Sequence, residues 1–227
     1  MSDPQLHAKQ SAAARAVDLI ESGMIVGLGS GSTARLAIEE MGLRLARRSL
    51  RDIRGVPTSR VARHHAIICG VPLVTLERAP TVDLTIDGAD EVDPKGALLK
   101  GAGGALLWEK IVASCSRRLV IVVDQTKLVA KLGERHALPL EVVAFGWSTH
   151  LEAVRALGGE PRLRETSAGA PYRTDEGHYI VDACFPAGIA APARVEQTLR
   201  ARPGVVETGL FLGYNAEVIV GRVAGGT

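Results

Sequence analysis

Three carboxylates stand together after an apolar segment of the chain, in the order Asp87-Gly88-Ala89-Asp90-Glu91. Clustered carboxylates are typical of acid–base catalysis or of a site for a hard cation. No histidine or cysteine lies near them in the sequence, so nothing indicates a transition metal, and a magnesium site built from carboxylates alone stays open. The structural alternative is an Asp-Gly turn in which an aspartate caps the backbone. These five residues alone do not decide between the two.

A second candidate is the segment 100–104, which reads KGAGG and leads into a predicted helix at 105–116. Backbone N–H groups of such a loop can approach an anion closely, and Lys100 can hold an anionic oxygen. Glu109 lies in the first half of the helix, so the loop and this carboxylate can face one crevice. The alternative is a solvated helix face, where a glutamate before a lysine is common.

Two further segments carry polar groups at predicted strand ends. Residues 27–33 read GLGSGST and join a strand to a helix, which suits an anion at the helix N-terminus or, equally, a tight turn with a Ser or Thr cap. The loop has neither the Gly-Lys-Ser/Thr ending of a nucleotide P-loop nor the dinucleotide glycine spacing, so nucleotide binding has little support. Residues 124–127 read DQTK and place Lys127 at another strand end, or form an ordinary surface turn.

The elements that must position these groups alternate between strands and helices. We predict a helix that begins near Pro4, and an α/β fold with a Rossmann-like, mostly parallel sheet and helices on both faces. The predicted strands of this part are 24–28, 53–56, 71–76, 82–87 and 119–123, and the other predicted helices are 34–46, 61–69 and 105–116.

After residue 127 the pattern changes to β-α-β-β-α-β, the order of ferredoxin-like α+β domains. Its predicted elements are 138–144, 148–157, 160–163, 178–185, 192–202 and 205–207. Segments 209–212 and 217–220 are predicted to return to the first sheet. The predicted domains are therefore a discontinuous catalytic domain at 1–129 and 208–227 with an inserted domain at 130–207, and residues 224–227 are expected to form a loose tail.

Composition narrows the class of protein. Of 227 residues 46% are apolar, and the formal net charge is only +2, so bulk charge gives no support for nucleic-acid binding. The arginine run at 44–54 is expected to serve surface or subunit contact. Three widely spaced cysteines suit reduced thiols, the N-terminus lacks a signal-peptide pattern and no apolar run is long enough to cross a bilayer. We expect a cytoplasmic protein without membrane contact.

Taken together and in this order, the four segments resemble ribose-5-phosphate isomerase type A, whose hallmarks are G-x-G-[ST]-G-S-T, D-G-A-D-E, K-G-G-G-[AG]-A…E-K and D-x-[ST]-K. The resemblance extends to 139–142 and 204–211, where this family enters and leaves its inserted domain. It implies interconversion of ribose 5-phosphate and ribulose 5-phosphate through an enediolate, with no metal or organic cofactor, in a homodimer or a dimer of dimers. Ala102 departs from the family pattern, which has glycine there.

The resemblance also implies roles for individual residues. Glu109 matches the general base, and its pKa is expected to be raised toward neutrality. Either Asp87 or Asp90 would open the sugar ring. The residues implied to hold the phosphate and nearby hydroxyls are Ser30, Gly31, Ser32, Thr33 and Lys127. The residues implied to line the sugar are Asp87, Gly88, Ala89, Asp90, Lys100, Gly101, Ala102 and Gly103.

One alternative from another class is a non-catalytic sugar-phosphate sensor, because bacterial regulators that resemble this fold bind such ligands. The presence of Glu109, Lys100 and both aspartates favours catalysis over sensing. A more distant alternative is an amino-sugar-phosphate isomerase or a CoA transferase on a similar scaffold, whose motifs differ.

Overall fold

The computed structural model describes residues 4–222. Within these residues the chain forms six α-helices and twelve β-strands. The helices are α1 (Pro4–Val17), α2 (Ser32–Ala46), α3 (Arg60–Ile68), α4 (Leu106–Ser114), α5 (Leu151–Ala156) and α6 (Pro192–Arg200). The strands are β1 (Ile25–Leu28), β2 (Arg54–Pro57), β3 (Leu84–Asp87), β4 (Glu91–Val92), β5 (Leu98–Leu99), β6 (Leu119–Asp124), β7 (Leu138–Val142), β8 (Glu160–Leu163), β9 (Tyr179–Cys184), β10 (Val205–Thr208), β11 (Leu210–Phe211) and β12 (Glu217–Gly221). None of the helices in this part of the chain has the length and apolar character needed to span a bilayer.

The chain divides into two compact units. Of the described residues, the first unit contains 4–89, 108–127 and 214–222, and the second contains 90–107 and 128–213. This division assigns 90–107 to the second unit, whereas the domain boundaries predicted from the sequence place that segment in the first. The predicted boundaries at 129/130 and 207/208 stay a prediction.

The first unit is built on a five-stranded parallel sheet in the order β12-β6-β3-β1-β2. Alternate residues of its strands point to opposite faces, as the strand period requires. Val26 and Leu28 of β1 join a core with residues of α1, α2 and α3, while Ile25 joins a second core with Val112 of α4. Helices therefore cover both faces, and the predicted Rossmann-like parallel sheet is confirmed.

The second unit contains a four-stranded antiparallel sheet in the order β10-β7-β9-β8. With α5 between β7 and β8, and α6 between β9 and β10, this is the predicted β-α-β-β-α-β domain. Its core packs the inner faces of the strands against both helices, through residues such as Leu140, Val181 and Leu199. The same unit holds a three-stranded antiparallel sheet in the order β11-β5-β4.

One predicted strand does not form, and another lies in a different sheet from the one predicted. Segment 71–76 forms only a single bridge, between Leu73 and Gly55, because Pro72 has no N–H to contribute to a ladder. Segment 209–212 was expected in the first sheet, but its strand β11 pairs with β5 in the three-stranded sheet. Strand β12 does pair with β6 as expected. The tail predicted at 224–227 lies outside the described residues.

Candidate active site

The first glycine loop follows β1 and lies directly against Asp87 at the end of β3. The N–H of Gly29 donates to the carbonyl of Ile86 at 2.9 Å, which continues the β1–β3 pairing by one residue. A Cβ atom on Gly29 would lie 2.4 Å from the Cα of Asp87, so only glycine fits between the two strand ends. The carboxylate of Asp87 is buried, and its Oδ1 accepts from the N–H of Ser30 at 3.0 Å and of Gly88 at 2.7 Å.

The hydroxyl of Ser30 is held by two residues that follow the neighbouring strand β2. Its Oγ lies 3.0 Å from Thr58 Oγ1 and 2.8 Å from Ser59 Oγ. Thr58 is fixed in turn because its Oγ1 donates to the carbonyl of Leu28 at 2.9 Å, and Ser59 accepts from Ala62 N–H as the cap of α3. Thr58 and Ser59 are not among the site residues predicted from the sequence. They come next to Ser30 because β2 pairs with β1 in parallel register.

Helix α2 begins at the end of this loop and has no side-chain cap. Its N-cap residue is Gly31, with φ of 92°, and Ser32 and Thr33 open the first turn. The ammonium group of Lys9 in α1 donates to Ser32 Oγ at 3.3 Å. A helix N-terminus with a lysine beside it is a favourable position for an anion. Lys9 was also missed by the sequence analysis, since only the packing of α1 places it there.

The DQTK segment begins with Asp124, the last residue of β6, and continues as a short 3-10 turn at Gln125–Lys127. Asp124 stabilises this turn, because its Oδ1 accepts from the N–H of Thr126 at 2.9 Å and from the hydroxyl of the same residue. Burial alone would raise the pKa of Asp124, but the hydrogen bonds from Thr126 and Gln5 and the charge of Lys9, 3.9 Å away, together lower that pKa below its usual value. Lys127 ends the turn and is partly exposed.

Glu109 is 5% exposed and lies in the first turn of α4. The end of α4 is fixed at the start of β3, where the N–H of Val82 donates to the carbonyl of Cys115 at 2.9 Å. One turn earlier, Val112 packs at Gly27, which pairs with Thr85. The three residues from Val112 back to Glu109 span about 4.5 Å along the helix, and each of the two residues from Thr85 to Asp87 spans about 3.3 Å along the strand. Glu109 therefore lies near the level of Asp87, at the carboxyl end of the parallel sheet.

The remaining predicted residues lie in the second unit. Asp90 follows directly after the first unit's Ala89, and its Oδ2 accepts from the N–H of Ala102 at 2.8 Å. Lys100 is 3% exposed, its backbone N–H donates to the carbonyl of Gly209 at 2.8 Å, and its ammonium lies 5.5 Å from the centre of the Phe211 ring. Ala102 does not have a positive φ, which explains why alanine is tolerated where the family pattern has glycine.

Glu91, the third carboxylate of the first motif, has a structural role in the second unit. It is fully buried and accepts hydrogen bonds from the backbone N–H groups of Gly133, Arg135 and His136 at 2.6–2.7 Å. Among residues 4–222 no cluster of three or more His, Cys, Asp or Glu side chains is arranged to hold a metal ion.

Each unit thus gathers part of the predicted set. The first unit joins Ser30 to Asp87 through a direct hydrogen bond and carries Gly31, Ser32, Thr33, Gly88, Ala89, Glu109 and Lys127. The second unit joins Asp90 to Ala102 and carries Lys100, Gly101 and Gly103.

Comparisons with known proteins show the family to which the chain belongs. Residues 54–225 match the family model described as Ribose 5-phosphate isomerase A (phosphoriboisomerase A). A ribose-5-phosphate isomerase A of Synechococcus sp. (strain JA-3-3Ab) is 49% identical over 213 residues, which cover 93% of this chain and 92% of the relative. The corresponding protein of Gloeobacter violaceus is 50% identical over 218 residues, covering 96% and 93%.

Solved structures give the same result for the fold. A ribose 5-phosphate isomerase from Plasmodium falciparum superimposes with a TM-score of 0.92 at 35% identity, covering 97% of this chain and 95% of that one. A D-ribose-5-phosphate isomerase solved in complex with phospho-erythronic acid superimposes with a TM-score of 0.91 at 39% identity, covering 95% and 94%.

Proposed function

The chain belongs to the ribose 5-phosphate isomerase A family, and from this premise we propose how its own residues carry out the reaction. The protein is an aldose–ketose isomerase that interconverts D-ribose 5-phosphate and D-ribulose 5-phosphate in the non-oxidative branch of the pentose phosphate pathway. The chemistry moves one proton between C1 and C2 through an enediolate. It therefore needs an anchor for the phosphate, a base that reaches both carbons, and donors for the developing oxyanion.

The phosphate anchor is the start of α2. The first N–H groups of this helix lack a side-chain cap, and Ser32 and Thr33 add hydroxyl donors beside Lys9. The helix dipole and the lysine charge both favour an anion here. Lys127, at the end of the 3-10 turn after β6, supplies a second cation to the same group. Such remote binding energy holds the substrate while the chemistry takes place at C1 and C2.

Glu109 is the base, and its position carries the proposal: a carboxylate that is 5% exposed lies in the first turn of α4, near the level of Asp87. A base transfers a proton between adjacent carbons most effectively when it reaches both from one face of a planar intermediate. Burial of a carboxylate disfavours its charged form, which suits a base working near neutral pH. Glu109 removes the proton from C2 of the aldose and returns it to C1.

The oxyanion donors are the ammonium of Lys100 and the N–H groups of the loop 101–103. Lys100 is 3% exposed, and a fixed cation in a poorly solvated position stabilises a developing oxyanion more strongly than one in water. Asp87 or Asp90 moves the hydroxyl proton when the furanose ring opens. Both are held by backbone N–H groups, so both are pre-oriented.

A substitution at Glu109 tests this mechanism. Glu109→Gln keeps the size of the side chain but removes the base, so kcat is expected to fall at least about 1000-fold. Binding of phospho-erythronic acid, the compound bound in the related structure, should change less than about 3-fold in calorimetry. The control is Glu152→Gln, a highly exposed glutamate of α5, which should retain wild-type turnover.

One outcome would contradict the mechanism: turnover of Glu109→Gln near that of the wild type would exclude Glu109 as the base. Solvent deuterium in the product of the wild-type enzyme would show that the transferred proton exchanges with water during turnover. A sensor without turnover, the alternative considered from the sequence, is not favoured by the family membership.

The assembly and location are also proposals. We expect a homodimer or a dimer of dimers. Large apolar side chains that are exposed in the single chain support this, among them Phe145 at 92% and Val61 at 78% exposure. Light scattering tests the assembly. A cytoplasmic location is supported by the three cysteines, all of which are free thiols. Fractionation of cells tests the location.

A further inference from the structure

Arg164 lies just after β8, where its backbone and side chain are both fixed. Its N–H donates to the carbonyl of Ile180 at 2.8 Å, and its carbonyl accepts from Tyr172 N–H at 2.8 Å. The guanidinium binds Asp182 side-on, through Nε to Oδ2 at 2.8 Å and Nη2 to Oδ1 at 2.5 Å. The side chain is only 15% exposed. A paired, poorly exposed arginine of this kind has one orientation rather than many.

The third guanidinium nitrogen of Arg164 reaches the second glycine loop. Nη1 donates to the carbonyls of Gly101 and Ala102, both at 3.0 Å. Tyr172, whose ring lies 5.7 Å from the guanidinium carbon, donates its hydroxyl to the carbonyl of Gly103 at 3.3 Å. Three consecutive carbonyls of the loop are therefore held by two side chains of the segment 164–172.

Fixing a carbonyl also fixes the N–H of the next residue, because the peptide unit is planar and trans and its C=O and N–H point in opposite directions. The carbonyl of Gly101 thus sets the N–H of Ala102, which donates to Asp90. The carbonyl of Ala102 sets the N–H of Gly103. The grip of Arg164 on the loop orients both a candidate acid–base carboxylate and a candidate oxyanion donor.

We propose that Arg164, oriented by Asp182, is a positioning residue of the isomerase reaction, which acts through the peptide planes of 101–103 on Asp90 and on the N–H of Gly103. This inference rests on the proposed role of the loop in stabilising the oxyanion. The charge of Arg164 is balanced by Asp182, so its effect is geometric rather than a field at the substrate. It holds donors that work mainly in the transition state, and it contacts no reacting atom.

Arg164→Ala tests the proposal by steady-state kinetics with ribose 5-phosphate. We expect kcat to fall about 10- to 100-fold while KM changes less than about 3-fold, because the lost interaction serves the transition state. Arg164→Lys should not restore kcat, because one ammonium cannot bind the carboxylate side-on and also hold two carbonyls. The matched control is Arg173→Ala. Arg173 lies, like Arg164, between β8 and β9; within residues 4–222 it donates to the carbonyl of Gly177 and stacks on Tyr179, away from the loop 101–103.

Folding of each variant is checked by circular dichroism and thermal unfolding. If Arg164→Ala does not fold, Asp182→Asn serves instead: it keeps the size of the anchor and should lower kcat about 5-fold. The proposal is overturned by wild-type kcat in the folded variant, by a rise in KM alone, by full rescue with lysine, or by an equal loss in Arg173→Ala. Lys100→Met distinguishes failure of the loop's proposed oxyanion role from failure of the positioning role of Arg164. If Lys100→Met keeps full kcat, the loop's proposed role fails. If Lys100→Met loses kcat and Arg164→Ala does not, only the positioning role fails.

Discussion

The two glycine loops of this protein look alike in sequence, but the structure holds them in opposite ways. In the loop at 29–33, a buried carboxylate accepts the N–H of Ser30, and the following N–H groups stand at an uncapped helix start. In the loop at 100–104, side chains grip the carbonyls of three successive residues. The first loop presents donors through the geometry of a helix N-terminus, and the second through the orientation of its peptide planes.

This difference shows why a glycine-rich pattern alone says little about function. Glycine at position 29 is demanded by the close approach of Asp87. Glycine at 104 is demanded by a φ of 80° and by the hydroxyl of Tyr172, 2.3 Å from where a Cβ would lie. Position 103 has neither constraint, so the two loops should respond differently to the same substitution.

The largest expected effect comes from adding a methyl group at those positions. Gly29→Ala should lower the free energy of unfolding by about 3 kcal/mol, because its Cβ meets backbone that cannot move aside easily. Gly103→Ala is the matched substitution in the second loop, where no atom lies within 4 Å of the added Cβ, and should change stability by less than about 0.5 kcal/mol. Urea unfolding measures both. Equal losses in the two variants would mean that the loops are held alike.

An intermediate effect is expected at the phosphate end of the first loop. Lys9→Met keeps the helix and the apolar stem but removes the charge beside Ser32, so KM for ribose 5-phosphate should rise about 10-fold with kcat within about 2-fold. Inhibition by inorganic phosphate should weaken to the same extent. Arg15→Met, on the same helix, is the control. A fall in kcat without a change in KM would contradict the anchoring role of Lys9.

The smallest effect concerns the support of the second loop. Tyr172 lies in the segment between β8 and β9, and Glu141 of β7 binds that segment. Glu141 is 1% exposed, and its Oε1 accepts from Thr174 Oγ1 at 2.8 Å and lies 3.0 Å from His178 Nδ1. Its other oxygen, Oε2, is buried and has no hydrogen-bond partner within the described part of the chain. Burial raises the pKa of Glu141 above its ordinary value of 4.5, and the bonds from His178 and Thr174 only partly oppose this.

The sign of the pH effect follows from that raised pKa. The folded protein binds this proton more tightly than the unfolded chain, so the free energy of unfolding falls as pH rises from 4.5 through the raised pKa. Glu141→Gln should remove this contribution, so the free energy of unfolding should depend less on pH in this range. Thermal unfolding from pH 4 to 8 measures it, with the exposed Glu160→Gln as the control. A profile unchanged by Glu141→Gln would show that Glu141 does not titrate in this range.

The parallel sheet and the ferredoxin-like domain could be predicted because each of their main strands and helices is marked by a local pattern of residue types, while the roles of the four chemical segments stay predictions. Apolar runs mark the buried strands, and glycine beside charge marks the loops at their ends. Leu73 illustrates the limit: the apolar run around it predicted a strand, but Pro72 beside it leaves only one bridge. Strands β4 and β5 have two residues each and are too short to show a period.

The site residues that could not be predicted from the sequence owe their position to contacts between distant parts of the chain. Lys9, Thr58 and Ser59 lie far in sequence from the loop that they contact, and only the order of strands and the packing of α1 bring them there. Nothing in the sequence around Arg164 predicts a role in the site, because an arginine after a short edge strand usually faces solvent. The two loop carbonyls that it binds, those of Ala102 and Gly101, lie 62 and 63 residues away in the chain.

The pairing of β12 with β6 has a consequence for how the chain is made. Gly221 at the end of β12 packs so closely on α1 that a Cβ there would lie 2.0 Å from the carbonyl oxygen of Ala8, so the first helix packs against the last strand. During synthesis from the N-terminus, β6 therefore keeps an open edge until β12 has been made, almost a hundred residues later. Open strand edges invite wrong pairing, and contacts between chain ends form slowly. The parallel sheet of the first unit should therefore be completed only after β12 has been made.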